Sequence, residues 1–467
     1  MSAAHPIAQP QPVTPSHRSA VVAAPITSEA SAESQPPLSK RTRVHPAGLY
    51  ILSAAEACER FGCFLLLALF TLYLNEHYGF SQERAINWYG WYLSVVYFTP
   101  LVGGWLGGRW LERRTWVLLG AITLGLGYSL LSMGTPTTLL AAIGVLTLGN
   151  GLFKPNISTL VGSLYQPGDS RRDEAFGIFY VAVNIGAMIA PVAGETMRYR
   201  LGWGPSFLSA AGALALAVLI LTVGMAYLPS RAGSTAESSQ SPTALGVGTD
   251  RRQRMLALLL FCLMAVPFWM AYYQTGGSVT YFARDNVQRI LPWSFFDLRE
   301  IPPGAFASLG GMFVLLLTVP LSWVVRRLRR AGLTISSADK VATGLFFASL
   351  AFALLSAIAH FAVQGRVNAL WLVAFYFVLT VAELLLSPVG LSLVSKLSPQ
   401  RWVGLMMGVW YLATTCGNRL SGQVAPLWSQ WSHSRFFGGL SAVLFSAAVF
   451  LVLQLRWLRR VLPPEDQ

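Results

Sequence analysis

The chain has 467 residues, of which 54% are hydrophobic and only 12% charged, and its formal net charge is +14. Soluble domains carry about 25% charged residues, so this composition excludes an ordinary soluble fold and defines an integral membrane protein. The basic residues fall in alternate loops and form no single patch, which excludes a nucleic-acid-binding surface as the reason for the charge.

Residues 1–46 are rich in Pro, Ser and Ala, contain no apolar run, and read as a disordered tail without the apolar core of a cleaved signal peptide. After the basic Lys40-Arg41-Thr42-Arg43, twelve apolar segments follow, each long enough for a membrane-spanning helix. The first six lie at 48–75, 87–108, 115–134, 137–165, 174–197 and 205–228. The second six lie at 255–283, 303–328, 338–362, 368–396, 402–424 and 436–460. Between them, Pro229 to Arg254 is Ser-, Gly- and Thr-rich and ends in Arg251-Arg252-Gln253-Arg254, the pattern of a flexible linker.

The expected architecture is therefore all-α, with about twelve transmembrane helices in two six-helix bundles. The tail covers 1–46, the N-terminal bundle 47–228, a cytoplasmic linker 229–254 and the C-terminal bundle 255–462. Such a layout is that of two-bundle secondary transporters. With the amino terminus inside, 23 of the 34 Lys and Arg fall on the cytoplasmic side and 8 on the other, which places both termini in the cytoplasm of a cell membrane.

Ionisable side chains inside the spans carry the functional signal, because burying charge in a bilayer is costly. Glu56, Glu59 and Arg60 sit at i, i+3 and i+4 in the first span, on one helix face, where Arg60 neighbours Glu56. Lys154 lies in the fourth span within Gly149-Asn150-Gly151-Leu152-Phe153-Lys154-Pro155-Asn156 and needs a carboxylate, with Glu56 and Glu59 the candidates. Pro155 and its flanking glycines suggest a locally broken helix. Glu383, in the tenth span, has no basic residue within a helical turn, so it is either protonated or faces a ligand. The Glu56–Arg60 pair has a plainer alternative, that of holding helices in register.

Other features take ordinary readings. Trp88, Tyr89, Trp91 and Tyr92 read as an interfacial aromatic belt, and Arg419 as a snorkelling residue near a span end. Cys58, Cys63, Cys262 and Cys416 read as small buried packing residues, with neither metal spacing nor a disulfide framework. His5, His45, His77, His360 and His433 lie in the tail or near span ends, and no nucleophile–base or metal constellation appears, so an enzyme is not expected.

On these residues the chain resembles the proton-dependent oligopeptide transporter family of the major facilitator superfamily. Glu56-Ala57-Cys58-Glu59-Arg60-Phe61 is similar to its ExxERF motif, and Lys154-Pro155-Asn156-Ile157-Ser158-Thr159-Leu160 to its helix 4 signature. Arg172-Asp173 and Phe179-Tyr180-Val181-Ala182-Val183-Asn184-Ile185-Gly186 resemble the helix 5 signature. Phe268-Trp269, Gln274 and Gly277-Ser278 resemble helix 7, and Glu383, Ser387-Pro388, Gly390-Leu391 and Met407-Gly408-Val409-Trp410 resemble helices 10 and 11. The similarity runs from about 48 to 460.

The resemblance implies proton-coupled symport of di- and tripeptides or peptide-like compounds by alternating access, with the proton as coupling ion, no other cofactor and no metal. By residue, it implies proton coupling by Glu56, Glu59, Arg60 and Lys154. It implies substrate binding by Lys154, Asn184, Glu383, Ser387 and Trp410, Glu383 taking the peptide's amino terminus. The partners it implies are a small-molecule substrate, protons and the lipid bilayer, for a monomer.

Departures from the family pattern mark this chain. Where a Tyr-Tyr pair and an Arg that holds the peptide carboxylate are usual, it has Cys63, Phe64 and Leu67. Tyr273 replaces the usual helix 7 acid, Gly310-Gly311 an Asn-Pro, and Gly108 the Asp of the loop motif Gly104-Trp105-Leu106-Gly107-Gly108-Arg109. Two alternatives stay open at this point: the same fold carrying an amino compound that lacks a carboxylate, and a non-transporting membrane sensor or scaffold.

Overall fold

The computed structural model describes residues 44–106, 110–166, 169, 171–230, 251–295, 298–333, 335–398 and 403–462. The tail up to residue 43, the linker at 231–250, and Gly107, Gly108 and Arg109 of the loop motif lie outside the described residues.

Twelve helices of 20 or more residues are present among the described residues. In the first half they are α1 (Ala47–Glu76), α2 (Gln82–Leu106), α3 (Arg113–Ser132), α4 (Pro136–Ser163), α5 (Arg171–Leu201) and α6 (Trp203–Val223). In the second, α7 (Arg251–Tyr272) runs into a 3₁₀ turn (Tyr273–Gly276) and the short α8 (Ser278–Asn286). There follow α9 (Ser308–Arg330), α10 (Ser337–Phe361), α11 (Leu370–Leu397), α12 (Val403–Gln423), the short α13 (Ala425–Gln430) and α14 (His433–Val461).

The expected segments map one to one onto these helices, with two differences. The seventh is interrupted where α7 gives way to the 3₁₀ turn, before Gly276-Gly277. The eighth begins as a 3₁₀ turn (Pro303–Ala307) before α9. Short strands follow α8: β1 (Val287–Gln288) pairs in parallel with β4 (Val367–Asn368), while β2 (Ile290–Phe295) pairs antiparallel with β3 (Leu298–Glu300).

Ten of the long helices are apolar enough to cross a membrane by composition alone. The exceptions, α2 and α12, pack on each other across the two halves, where Ser94 donates to the Thr415 carbonyl at 3.3 Å and Arg419 reaches Asn87 at 3.5 Å. Their polar content belongs to that seam and not to lipid. The seam is close: a Cβ on Gly90 would lie 2.6 Å from the Gly422 nitrogen.

Within the first half, α1 packs on α5 and α6, α3 on α4 and α6, and α2 on α4. Within the second, α7 packs on α12 and α14, α10 on α11 and α14, and α9 on α11. The halves meet along α2–α12 and α5–α9, and where α1 touches the 3₁₀ turn after α7. Two six-helix bundles of the major-facilitator type result.

Helix α4, which carries Lys154, starts with Thr135 and Thr138 capping each other reciprocally and Pro136 at the first turn. It runs unbroken through Pro155, correcting the expected break. A proline removes one backbone donor and crowds the carbonyl four residues earlier. Here that residue is Gly151, which has no side chain to add to the crowding, while Asn156 Nδ2 gives the neighbouring Leu152 carbonyl a side-chain donor at 2.8 Å. A Cβ on Gly103 would fall 1.7 Å from the Gly151 oxygen, so α2 and α4 touch backbone to backbone at this point.

Candidate functional site

The first-span cluster is buried: Glu56 is 0%, Glu59 3% and Arg60 8% exposed. The Arg60 guanidinium clasps its neighbour Glu59 with Nε 2.5 Å from Oε2 and Nη2 2.7 Å from Oε1. Its contact with Glu56 is looser, at 3.4 Å. Glu56 instead receives Lys154, whose Nζ donates to Oε1 at 2.7 Å. Sequence spacing left Glu56 and Glu59 open as partners for Lys154, and the structure places Lys154 on Glu56. Two carboxylates thus face two cations, which keeps the buried cluster neutral. Glu56 Oε2 has no hydrogen-bond partner among the described residues.

The close approach of α5 to α1 helps to fix this cluster. A Cβ at Gly186 would stand 2.8 Å from the Ala57 carbonyl oxygen and 2.9 Å from Arg60 Cβ, so only glycine lets α5 lie this near.

Glu383 stands on the other half, in α11. Its carboxylate accepts a hydrogen bond from the Tyr272 hydroxyl at 3.0 Å. Carboxylate and ring belong to a cavity of about 150 Å³ walled by Phe64, Tyr89, Trp269, Tyr273 and Tyr376. A second cavity of about 380 Å³ contains Arg60, Cys63, Tyr92, Asn150, Lys154 and Tyr411. Leu67 and Tyr97 belong to both walls, so the two chambers abut there.

Of the sequence-predicted residues, Glu56, Glu59, Arg60 and Lys154 come together, and Glu383 faces the adjoining chamber. Asn184, Ser387 and Trp410 are not among the lining residues of either chamber. Asn184 is 6% exposed and donates to the Tyr180 carbonyl at 2.9 Å. Trp410 is 6% exposed and fills the space beside Gly390, where a Cβ would collide with its ring.

Several ordinary readings need correction. Tyr89 and Tyr92 are 2% and 7% exposed and line the chambers, so they form no interfacial belt, although Trp91 at 53% remains outside. In a helix, positions 89 and 92 share a face that 91 does not. Arg419 lies over the Trp91 ring at 4.3 Å and reaches Asn87 Oδ1 at 3.5 Å, tying α12 to α2. Cys262 is buried, but Cys58 and Cys63 are only partly so and Cys416 is exposed.

The chamber aromatics Tyr97, Tyr272 and Tyr376 were not foreseen. Nor was Glu195, which is fully buried on α5. Its Oε1 accepts the Gly304 N–H of the second half at 2.6 Å, and its Oε2 pairs with Arg198 Nε at 2.6 Å. Arg198 reaches Glu76 at 2.7 Å, and Arg284 of the second half donates to Asn75 at 2.8 Å. At the same end Tyr281 donates to the Thr71 carbonyl at 2.7 Å and Trp428 to Gln82 at 2.7 Å. The end of the molecule bearing Gly79 and the loop after α8 is therefore bolted across both halves.

A twelve-helix, two-bundle membrane protein with paired charges beside a central cavity is a secondary transporter. Residues 114–232 and 244–443 match the sequence model of the POT family, and the chain belongs to that family. It is 29% identical over 480 residues to dipeptide and tripeptide permease A of Salmonella typhimurium, covering 90% of this chain and 94% of that one. To the permease of the same name from Chromobacterium violaceum it is 28% identical over 475 residues, covering 89% and 94%. Among solved structures, a crystal structure of a peptide transporter POT superposes with TM-score 0.80 at 24% identity, over 90% of this chain and 96% of that one.

Proposed function

We propose that the protein is a proton-coupled symporter of short peptides or peptide-like compounds, working by alternating access in a cell membrane. The observation that carries this reading is the Lys154–Glu56 contact, an ion pair with its carboxylate buried that joins α4 to α1 on the wall of the larger chamber. Protonating Glu56 would remove the charge that holds Lys154, freeing the ammonium for a substrate carboxylate. Glu59 would hold Arg60 in place meanwhile. Glu383, in the adjoining chamber, would accept from the peptide's ammonium group where it now accepts from the Tyr272 hydroxyl.

Leu67 offers no guanidinium where the family usually has one, so Lys154 is the cation left to meet the carboxylate, as a point charge without bidentate geometry. Asn184, Ser387 and Trp410 would act from behind the chamber walls. In this reading the bundles 47–228 and 255–462 rock as units, joined through the 229–254 linker. The bolted end faces outward, as the excess of basic residues on the opposite side implies. Both termini are then cytoplasmic, and a single chain contains the whole transport path.

Uptake of labelled dialanine into proteoliposomes, with and without an inward proton gradient, tests the proposal. Gradient-driven uptake that Glu59→Gln and Glu383→Gln both abolish is expected. No uptake by folded protein would overturn the peptide assignment and direct the search to amines lacking a carboxylate.

A further inference from the structure

The two chambers meet at a partition built from Leu67 of α1, Tyr97 of α2 and Tyr273, the first residue of the 3₁₀ turn after α7. The Tyr273 hydroxyl donates to the Tyr97 hydroxyl across the two halves, with ring centroids 5.7 Å apart. Trp269 stacks on the Tyr273 ring at 5.7 Å, and Tyr273 is only 5% exposed, so the ring is braced from behind. The partition carries no charge.

Consecutive residues divide the work. Tyr272 addresses Glu383 within the second half, and Tyr273 addresses Tyr97 in the first. A backbone change at this turn therefore moves both contacts together.

The Glu383 chamber is small. About 150 Å³ holds one benzene-sized group, and a pocket for a whole small molecule is about 300–1,000 Å³. An ammonium group, its α-carbon and a methyl fit beside Glu383. The same atoms with a benzyl group do not, unless the partition opens. The Lys154 chamber, about 380 Å³, has no such restriction.

We propose that the Tyr97–Tyr273 partition is a size filter for the amino-terminal residue of the peptide, so that the transporter distinguishes two peptides of identical composition and reversed order. This deepens the function proposed above and rests on Glu383 binding the substrate ammonium. A small first residue sits in the Glu383 chamber with the tyrosine pair closed, the peptide backbone crossing the shared wall on its Leu67 side, and a bulky second residue lies on the Lys154 side. With the order reversed, the bulky group must break the hydroxyl pair and displace a braced ring.

Equilibrium binding of Ala-Ala, Ala-Phe and Phe-Ala to purified protein in nanodiscs tests this on wild type, Tyr273→Phe, Tyr97→Phe, the double variant and Tyr273→Ala. Wild type should bind Ala-Phe about tenfold more tightly than Phe-Ala, the scale of forcing an oversized group into a packed site. Tyr273→Ala should bring the two within about threefold by merging the chambers. The phenylalanine variants keep the rings and should narrow the gap in part. The double phenylalanine variant should do no more than either single one, because each breaks the same bond. Equal binding of the reversed pair in wild type, or a gap that no variant narrows, overturns the filter while leaving peptide transport standing. Binding of none of the three peptides by folded wild type overturns the peptide reading, and the filter with it.

Discussion

Lys154 and Glu56 lie 98 residues apart in the chain and meet with Nζ 2.7 Å from Oε1. Glu56 is fully buried, whereas the Lys154 side chain keeps 33% of its surface open on the cavity side. The pair therefore has one partner sealed within the helices and one within reach of a ligand, the asymmetry a coupling device needs.

Replacing Glu56 by Gln keeps the shape and removes the charge. Gradient-driven uptake should fall by tenfold or more, while exchange of peptide for peptide at equal pH on both sides should persist. Comparing the two assays in one proteoliposome preparation separates loss of coupling from loss of binding.

Glu383→Gln leaves an acceptor for Tyr272 and cancels the attraction for an ammonium group. A charge-assisted hydrogen bond is worth about 1.5–3 kcal/mol, so peptide affinity should weaken by roughly tenfold to a hundredfold. Tyr272→Phe should weaken it less, because it removes an orienting donor and not the charge. Calorimetric titration of dialanine into the purified variants checks the order.

At the bolted end, a Cβ on Gly304 would lie 2.5 Å from Glu195 Oε1 and 3.0 Å from the Ala68 carbonyl oxygen. Gly304→Ala should therefore loosen the contact between α5 and the turn before α9. Spin labels at Ser81 and Gln430, near this end, should report a broader and longer distance distribution than in wild type. Glu195→Ala should do the same by removing the acceptor, and an unchanged distribution in both would refute the role of this bolt.

Gly103→Ala tests the fold separately. Its Cβ would meet the backbone oxygen of Gly151 at 1.7 Å, with no flexible side chain to move aside. Overpacking costs about 1–3 kcal/mol. A lowered melting temperature, with dialanine affinity reduced because Lys154 shifts with α4, is the expected result.

Much of this was legible in the sequence because a bilayer makes simple demands. Long apolar runs gave the spans, and the rarity of buried charge singled out Glu56, Glu59, Arg60, Lys154 and Glu383. Partnership was harder to read: helical spacing favoured Arg60 with Glu56, yet Arg60 clasps Glu59 and leaves Glu56 to Lys154 from another helix. Glu195 carried no signal of its role: it stands near a span end with Arg198 three residues on, and nothing in the sequence shows that its other oxygen reaches the opposite half. The tyrosines were missed for a different reason. An aromatic at a span end is the common pattern of a membrane interface, and only the rotation of α2 about its axis shows that Tyr89 and Tyr92 look inward.

The most direct test of coupling is the lumenal pH of proteoliposomes, followed with a trapped dye as dialanine is added outside at equal starting pH, with an inside-negative potential. The account predicts acidification of the lumen on peptide addition by wild type and none by Glu56→Gln. Peptide entry without any movement of protons would contradict it.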